Sequence, residues 1–265
     1  MTRHVTLLES EAGHNLLGTA ARCVAPIHFA PGDAAAGGAI NNGTIFFLDW
    51  GMGPLAVTAD HVFQAYLTRK HAEPALLCRI GDLGFEPEER LIDRDADRDI
   101  AVFHIEAREV AELGAELHRP DYDWPPARPD AGGSVFFAGF PGRERRPGRR
   151  RGVAFGIYAA TTVAASVNDR VVVCRFERQH WIDTLGLGSA PGHRHLGGLS
   201  GAPLWAVGGR DGAADLRFAG VVSSFNQSWE LLYAKHAASI RPDGRLTPPQ
   251  IGGLDRISAS PLRRA

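Results

Sequence analysis

The segment HLGGLSGAPLW, residues 195–205, sets Ser200 among Gly197, Gly198 and Gly201, directly ahead of Ala-Pro and an apolar run. Glycine reaches backbone conformations closed to other residues and lets other groups approach the main chain closely. A serine in such a turn can expose its hydroxyl while neighbouring N–H groups face one small space. A nucleophile beside an oxyanion-binding site needs that arrangement. The same residues also suit a glycine-rich strand connection with an incidental serine, so the rest of the chain has to decide. A serine nucleophile needs a base, and the base needs an orienting partner. His61 stands in VTADHVF, directly after an apolar stretch, and Asp99 stands in RDIAVFHI, directly before one. Alone, His61 suits a surface or core histidine and Asp99 a solvated acid or turn former. In the order His, Asp, Ser, at the ends of strands whose side chains can converge in a cleft, the three suit acyl transfer.

The elements that must position them are β-strands. TIFFLDW and LAVTA, joined by Gly-Met-Gly-Pro, predict a hairpin, and HVFQAYLTRK predicts a short helix. ALLCRI and RLIDRDADRDIAVFHI predict further strands. The segment RPDYDWPPARPDAGG, 119–133, is rich in Pro and Asp and predicts a linker between two halves. Beyond it SVFFAGFPG, VAFGIYAATTVAAS, RVVVCRFE, APLWAV, LRFAGVVSSF and ELLYAKHAASI are strand-like, several of them rich in β-branched residues. Residues 1–40 are mixed and end in PGDAAAGGAINNG, which predicts a loop; the tail from RPDGRLTPPQIGG looks irregular. The expected division is residues 1–120 for an N-terminal extension and a first β-barrel carrying His61 and Asp99. Residues 121–133 are the linker, and 134–265 hold a second β-barrel with Ser200 and a C-terminal tail. No sequence repeat relates the halves.

Composition narrows the classes. The chain has 265 residues, 44% apolar and 22% charged, which suits a soluble globular protein. Its 31 glycines, set between short apolar runs, favour an all-β fold. A net charge of −1 gives no electrostatic reason to expect nucleic acid or membrane. Cys23, Cys78 and Cys174 are far apart and odd in number, so neither a disulfide framework nor a metal site is indicated, and reduced, buried thiols are expected. The start, MTRHVTLLESEAGH, has no apolar core of signal-peptide length, and no stretch approaches a membrane span. A cytoplasmic location is the expectation.

With these pieces in order, the chain resembles the trypsin-like serine peptidases, and among them the disulfide-free bacterial type similar to the HtrA protease domain. VTADH resembles the family's V-T-A-A-H, with Asp60 in place of the second alanine. DIAVF resembles D-[IL]-A-[VL], and GLSGAPL resembles G-[DN]-S-G-[GA]-P-L. GTIFFL resembles the strand before the histidine, VFFAGFP the strand opening the second barrel, and FAGVVSS the strand lining the substrate cleft. The resemblance runs through roughly residues 40–242. It implies an all-β fold of two six-stranded antiparallel β-barrels with the active site between them. It implies a serine endopeptidase acting on protein or peptide through an acyl-enzyme, without cofactor or metal. His61 would be general base and then acid, Asp99 its orienting partner and Ser200 the nucleophile, with the N–H groups of Gly198 and Ser200 as the oxyanion hole. Ser223 would pair with an extended substrate. The family's pocket for the residue before the cut has its base about six residues ahead of the serine. That count reaches Arg194, which would favour small or acidic residues and disfavour Lys or Arg; the alternative is that Arg194 points to solvent.

Two departures bear on activity. Leu199 replaces the acid or amide that usually precedes the nucleophile, so pairing with a freshly cut N-terminus is not available and the loop must be held otherwise. Ala202 replaces a glycine, a mild change. Leu199 keeps open a second function, a latent or inactive trypsin-like domain that binds protein. Other motifs carry less. G-x-S-x-G of α/β-hydrolases fails at Ala202, and that fold needs its acid and histidine after the serine. DRDADRD, 93–99, lacks the sixth-position glycine and the closing glutamate of a calcium loop. His193 and His195 lack further clustered ligands. The run GRERRPGRRRG holds Arg143, Arg145, Arg146, Arg149, Arg150 and Arg151; it suits a solvated surface loop or a dock for an acidic partner or activator, while the near-neutral total argues against a nucleic-acid protein.

Overall fold

The computed structural model describes residues 11–31, 40–142, 145–147, 153–176, 197–208 and 215–248. Residues 1–40, mixed by composition, contribute helix α1 (Glu11–Arg22) and strand β1 (Val24–Pro31). The expected hairpin is β2 (Asn41–Leu48) and β3 (Leu55–Thr58). The expected helix follows at once as α2 (Asp60–Ala72). Then come β4 (Leu76–Ile80), β5 (Leu83–Gly84), the short α3 (Pro87–Arg90), β6 (Leu91–Asp95), β7 (Ile100–His104) and α4 (Ala107–Glu112). The seven strands form one curled antiparallel sheet in the order β5-β4-β1-β2-β3-β7-β6.

The second unit is β8 (Ser134–Gly139), β11 (Tyr158–Val167), β12 (Val171–Arg175), β13 (Pro203–Gly208), β14 (Asp215–Asn226) and β15 (Leu231–His236). They close into a six-stranded barrel, β11-β12-β15-β14-β13-β8, while β9 (Arg145–Pro147) and β10 (Val153–Phe155) make a separate hairpin. This is the all-β, two-unit architecture expected from the sequence. The second unit is the expected six-stranded barrel. The first has a seventh strand, and its outermost strands β5 and β6 do not pair with each other among the described residues; β5, two residues long, is too short to close the ring.

Strand periodicity builds the cores. Alternate side chains point to opposite faces. In β2, Ile45 and Phe47 enter the first unit's own core, while Phe46 and Leu48 enter a second core lying between the units. In β7, Ala101 and Phe103 face the first unit's core while Ile100 and Val102 face the shared one. The barrel answers in the same way: Val135 and Phe137 of β8 fill its own interior, and Phe136 and Ala138 join the shared core. Strands buried on both faces therefore appear as continuous apolar runs rather than alternating ones, as in TIFFL and VFFAG.

Both ends of the described chain cross over. Helix α1 precedes the first sheet but packs on β8, β11 and β14 of the barrel, with Leu16, Leu17 and Ala20 in the shared core. The segment after β15 returns to the first sheet. Leu246 N donates to Asp93 Oδ2 at 2.9 Å, Arg98 donates to Thr247 O, and Leu246 is buried in the shared core. Residues 119–133 connect the two sheets without helix or strand, apart from being tied down by side chains: Trp124 Nε1 donates to Ile240 O at 2.7 Å, and Tyr122 OH accepts from Phe218 N at 2.7 Å.

Candidate active site

His61 is the second residue of α2, which begins two residues after β3 ends. Strand β3 pairs with β7, and Asp99 sits in the turn joining β6 to β7, so sheet pairing alone brings His61 and Asp99 to the same end of the sheet. His61 N donates to Asp99 Oδ1 at 2.8 Å. The ring Nδ1 lies 2.9 Å from Asp99 Oδ2 and 3.0 Å from Oδ1. A carboxylate is acceptor only, so it selects the tautomer with the proton on Nδ1 and leaves the Nε2 lone pair free to act as base. Asp99 holds its place with φ of 52°, a left-handed conformation that aspartate tolerates better than most residues. The side chain of His61 is half exposed, whereas that of Asp99 is only 17% exposed. The dyad therefore opens to solvent on the histidine side.

Ser200 comes from the turn before β13, and the first sheet receives that turn directly. Thr44 N donates to Ser200 O at 2.9 Å. Thr44 Oγ1 donates to Gly198 O at 2.8 Å and accepts from Phe140 N at 2.9 Å. Asn42 Nδ2 donates to Phe140 O at 2.8 Å. Gly201, with φ of 89°, lies so close to β2 and β3 that a Cβ would stand 2.1 Å from Thr44 O and 2.2 Å from Thr58 Oγ1. That glycine is what lets the Ser200 turn dock beside Ala59, the residue just before α2. Gly198, with φ of 102°, is enclosed too: a Cβ there would stand 2.5 Å from Phe140 O.

Among the described residues, the N–H groups of Gly198 and Ser200 have no acceptor, while those of Gly201 and Ala202 are used by Val222 O and Leu199 O. Ser200 Oγ donates to Ser223 O at 3.5 Å and makes no hydrogen bond to His61. Ser223 sits at an irregularity between the β14 and β15 registers, buried, with Oγ donating to Tyr233 O at 3.2 Å. Leu199 is buried in the barrel core, which is how this loop is held where the resemblance would have an acid.

The remaining expectations divide. Arg194, with His193 and His195, lies outside the described residues. So do Arg143 and Arg149–Arg151; Arg145 and Arg146 lie on β9, paired with Phe155 and Ala154. No group of three or more His, Cys, Asp or Glu able to hold a metal occurs among the described residues. The three cysteines are free and buried, and burial pushes each thiol up to about 12. No described helix is long and apolar enough to cross a membrane. Sequence reasoning passed over Thr44 and Asn42. The GTIFF motif contained Thr44, but only as a strand marker, because its partners lie about a hundred residues or more away in the chain.

No protein-family model and no curated protein matches the chain. Solved structures do. The chain is similar to the Rv3671c protease of M. tuberculosis in its active form, at 17% identity and a TM-score of 0.48, over 86% of this chain and 83% of that one. A Sesbania mosaic virus structure describing the coupled folding and binding of its VPg protein aligns at 12% identity and a TM-score of 0.43, over 82% and 86% of the two chains. The thermostable serine protease AL20 from an extremophilic microorganism aligns at 11% identity and a TM-score of 0.39, over 83% and 92%.

Proposed function

We propose that the protein is a serine endopeptidase. One observation supports this most: the turn with Ser200 docks on the strands that lead to His61, while Asp99 occupies His61 Nδ1 and the Gly198 and Ser200 N–H groups have no acceptor among the described residues. Substrate binding draws Ser200 Oγ from Ser223 O to His61 Nε2; such contacts tighten in the substrate complex. The Oγ proton passes to Nε2 as Oγ bonds to the scissile carbonyl carbon, and the developing oxyanion accepts from the two free N–H groups. The C–N bond then breaks as Nε2 returns the proton to the departing amine. Water then bonds to the acyl carbon as the same nitrogen takes its proton, and Nε2 passes that proton to Oγ as the Oγ–C bond breaks, restoring Ser200. Arg194 would bias the residue before the cut toward small or acidic side chains, and the arginine-rich loop would dock an acidic partner.

A latent domain that binds protein without cleaving it is the second reading. The hydrogen bond from Ser200 to Ser223, in place of one to His61, favours it. A fluorophosphonate probe separates the two. The endopeptidase reading expects labelling of the wild type and none of folded Ser200→Ala. A folded wild type that stays unlabelled, with or without added peptide, overturns it.

A further inference from the structure

Asp60 is the residue at which VTADH departs from the resembling motif, and the structure gives it a partner. Its carboxylate is buried at the first turn of α2. Arg94, on β6, reaches across to it: Nε lies 2.8 Å from Asp60 Oδ1, and Nη2 donates to Oδ2 at 2.9 Å. The guanidinium lies 5.4 Å from the ring centre of Phe63, one turn further along the helix face. It is thus clamped by charge on one side and by an aromatic face on the other. Asp60 adjoins His61, and Arg94 lies on the strand that runs into the turn carrying Asp99. Helix α2 and the β6–β7 hairpin are therefore joined twice: once by His61 with Asp99, and once by Asp60 with Arg94.

We propose that Asp60 and Arg94 are a positioning pair for the His61–Asp99 dyad, fixing the spacing of its two limbs and cancelling the charge that Asp60 would otherwise place beside His61. This rests on the endopeptidase reading for its kinetic consequence and not for its electrostatic one. Burial raises the Asp60 carboxyl above the ordinary carboxylate range, Arg94 opposes this by charge and hydrogen bond, and the Asp99 charge adds to the rise. An alanine in this position would leave Arg94 facing the dyad without a counter-charge. Other charged groups at this end of the sheet have contacts of their own. Arg98 is 3.5 Å from Asp95 and also donates to Thr247 O, Asp93 Oδ2 accepts from Leu246 N, and Lys235 Nζ of the barrel donates to Asp97 O at 3.2 Å. The Asp60–Arg94 pair is the balance most directly coupled to the dyad.

The test is a charge cycle read by NMR titration of the His61 ring, alongside turnover of a peptide ester. Asp60→Asn leaves Arg94 uncompensated, so the His61 midpoint should fall by at least about 0.5 pH unit. Asp60→Asn with Arg94→Gln removes both charges and should return the midpoint to within about 0.2 unit of wild type, as should Arg94→Lys, which keeps the charge. In turnover, Asp60→Asn should lose about tenfold in kcat with KM within about twofold, since the loss falls on alignment rather than binding. If Asp60→Asn does not fold, the doubly neutral variant is compared with Arg94→Lys: equal midpoints, with lower kcat in the former, uphold the pair. An unmoved midpoint in folded Asp60→Asn, or a double variant that stays shifted, overturns it. The ring titration decides the matter even if the wild type proves inert to the fluorophosphonate, an outcome that sinks the endopeptidase reading alone.

Discussion

Thr44 Oγ1, on the first sheet, donates to the carbonyl oxygen of Gly198, on the Ser200 turn of the second unit, at 2.8 Å. Orienting that carbonyl fixes the peptide plane that ends at Leu199, and it does so from outside the barrel. The same hydroxyl accepts from Phe140 N, so it terminates two backbone groups at the seam between the units.

Thr44→Val keeps the shape and removes the hydroxyl. It removes the partner of Phe140 N, which is buried, and of Gly198 O, which is half-buried, at up to about 1–3 kcal/mol for each unsatisfied group. The expected outcome is a lower midpoint in urea and slower fluorophosphonate labelling, with Thr44→Ser restoring both. Equal labelling rates for Thr44→Val and wild type would show that the Gly198 carbonyl needs no such anchor.

Leu199 is 1% exposed and packed in the barrel interior. Truncation to alanine should cost about 2–5 kcal/mol, the range for a buried leucine. Leu199→Met, close in volume, should cost less than about 1.5 kcal/mol. Leu199→Asp should be the worst of the three, because it places a carboxylate among apolar side chains. Chemical denaturation ranks them, and an aspartate variant as stable as the methionine one would contradict apolar anchoring of the loop.

His236 is buried in the barrel, with Nδ1 accepting from Ala238 N at 3.0 Å. Burial lowers its pKa from 6.5, Arg128 adds to the lowering and Asp169 opposes it. The unfolded chain therefore takes up the proton first as pH falls. Stability from this group is complete above pH 6.5 and declines as pH drops below it toward the depressed folded value. Melting temperatures measured from pH 7 downward should fall, and His236→Gln should flatten that fall. An identical slope in the variant would assign the acid sensitivity to other groups.

Much of the candidate site was legible because it lies at the ends of strongly patterned strands. LAVTA before His61 and IAVF after Asp99 are apolar runs of strand length, and their pairing carries both residues to one edge. Helix α2 was legible from HVFQAYL, whose Val62, Phe63 and Tyr66 share a buried face. Two strands of the first sheet escaped notice: Leu83–Gly84, which has too few residues for any period to show, and Val24–Pro31, which lies in residues read only as mixed. Helix α1 escaped because the apolar residues of EAGHNLLGTAAR make sense only against the barrel, more than a hundred residues later. Thr44, Asn42 and the Asp60–Arg94 contact share that reason. Each is a polar link between segments remote in sequence, and no local spacing encodes it.

The crossed ends have a mechanical meaning. The leading helix roofs the trailing barrel, and the trailing segment buttresses the leading sheet, touching the very hairpin that presents Asp99. Cutting the chain between 119 and 133 would strip each half of a wall supplied by the other. The two halves are therefore clasped rather than merely adjoining. A pull on the segment past Thr247 would be felt first at Arg98, the neighbour of Asp99, so the far end of the described chain acts as a tether on the dyad.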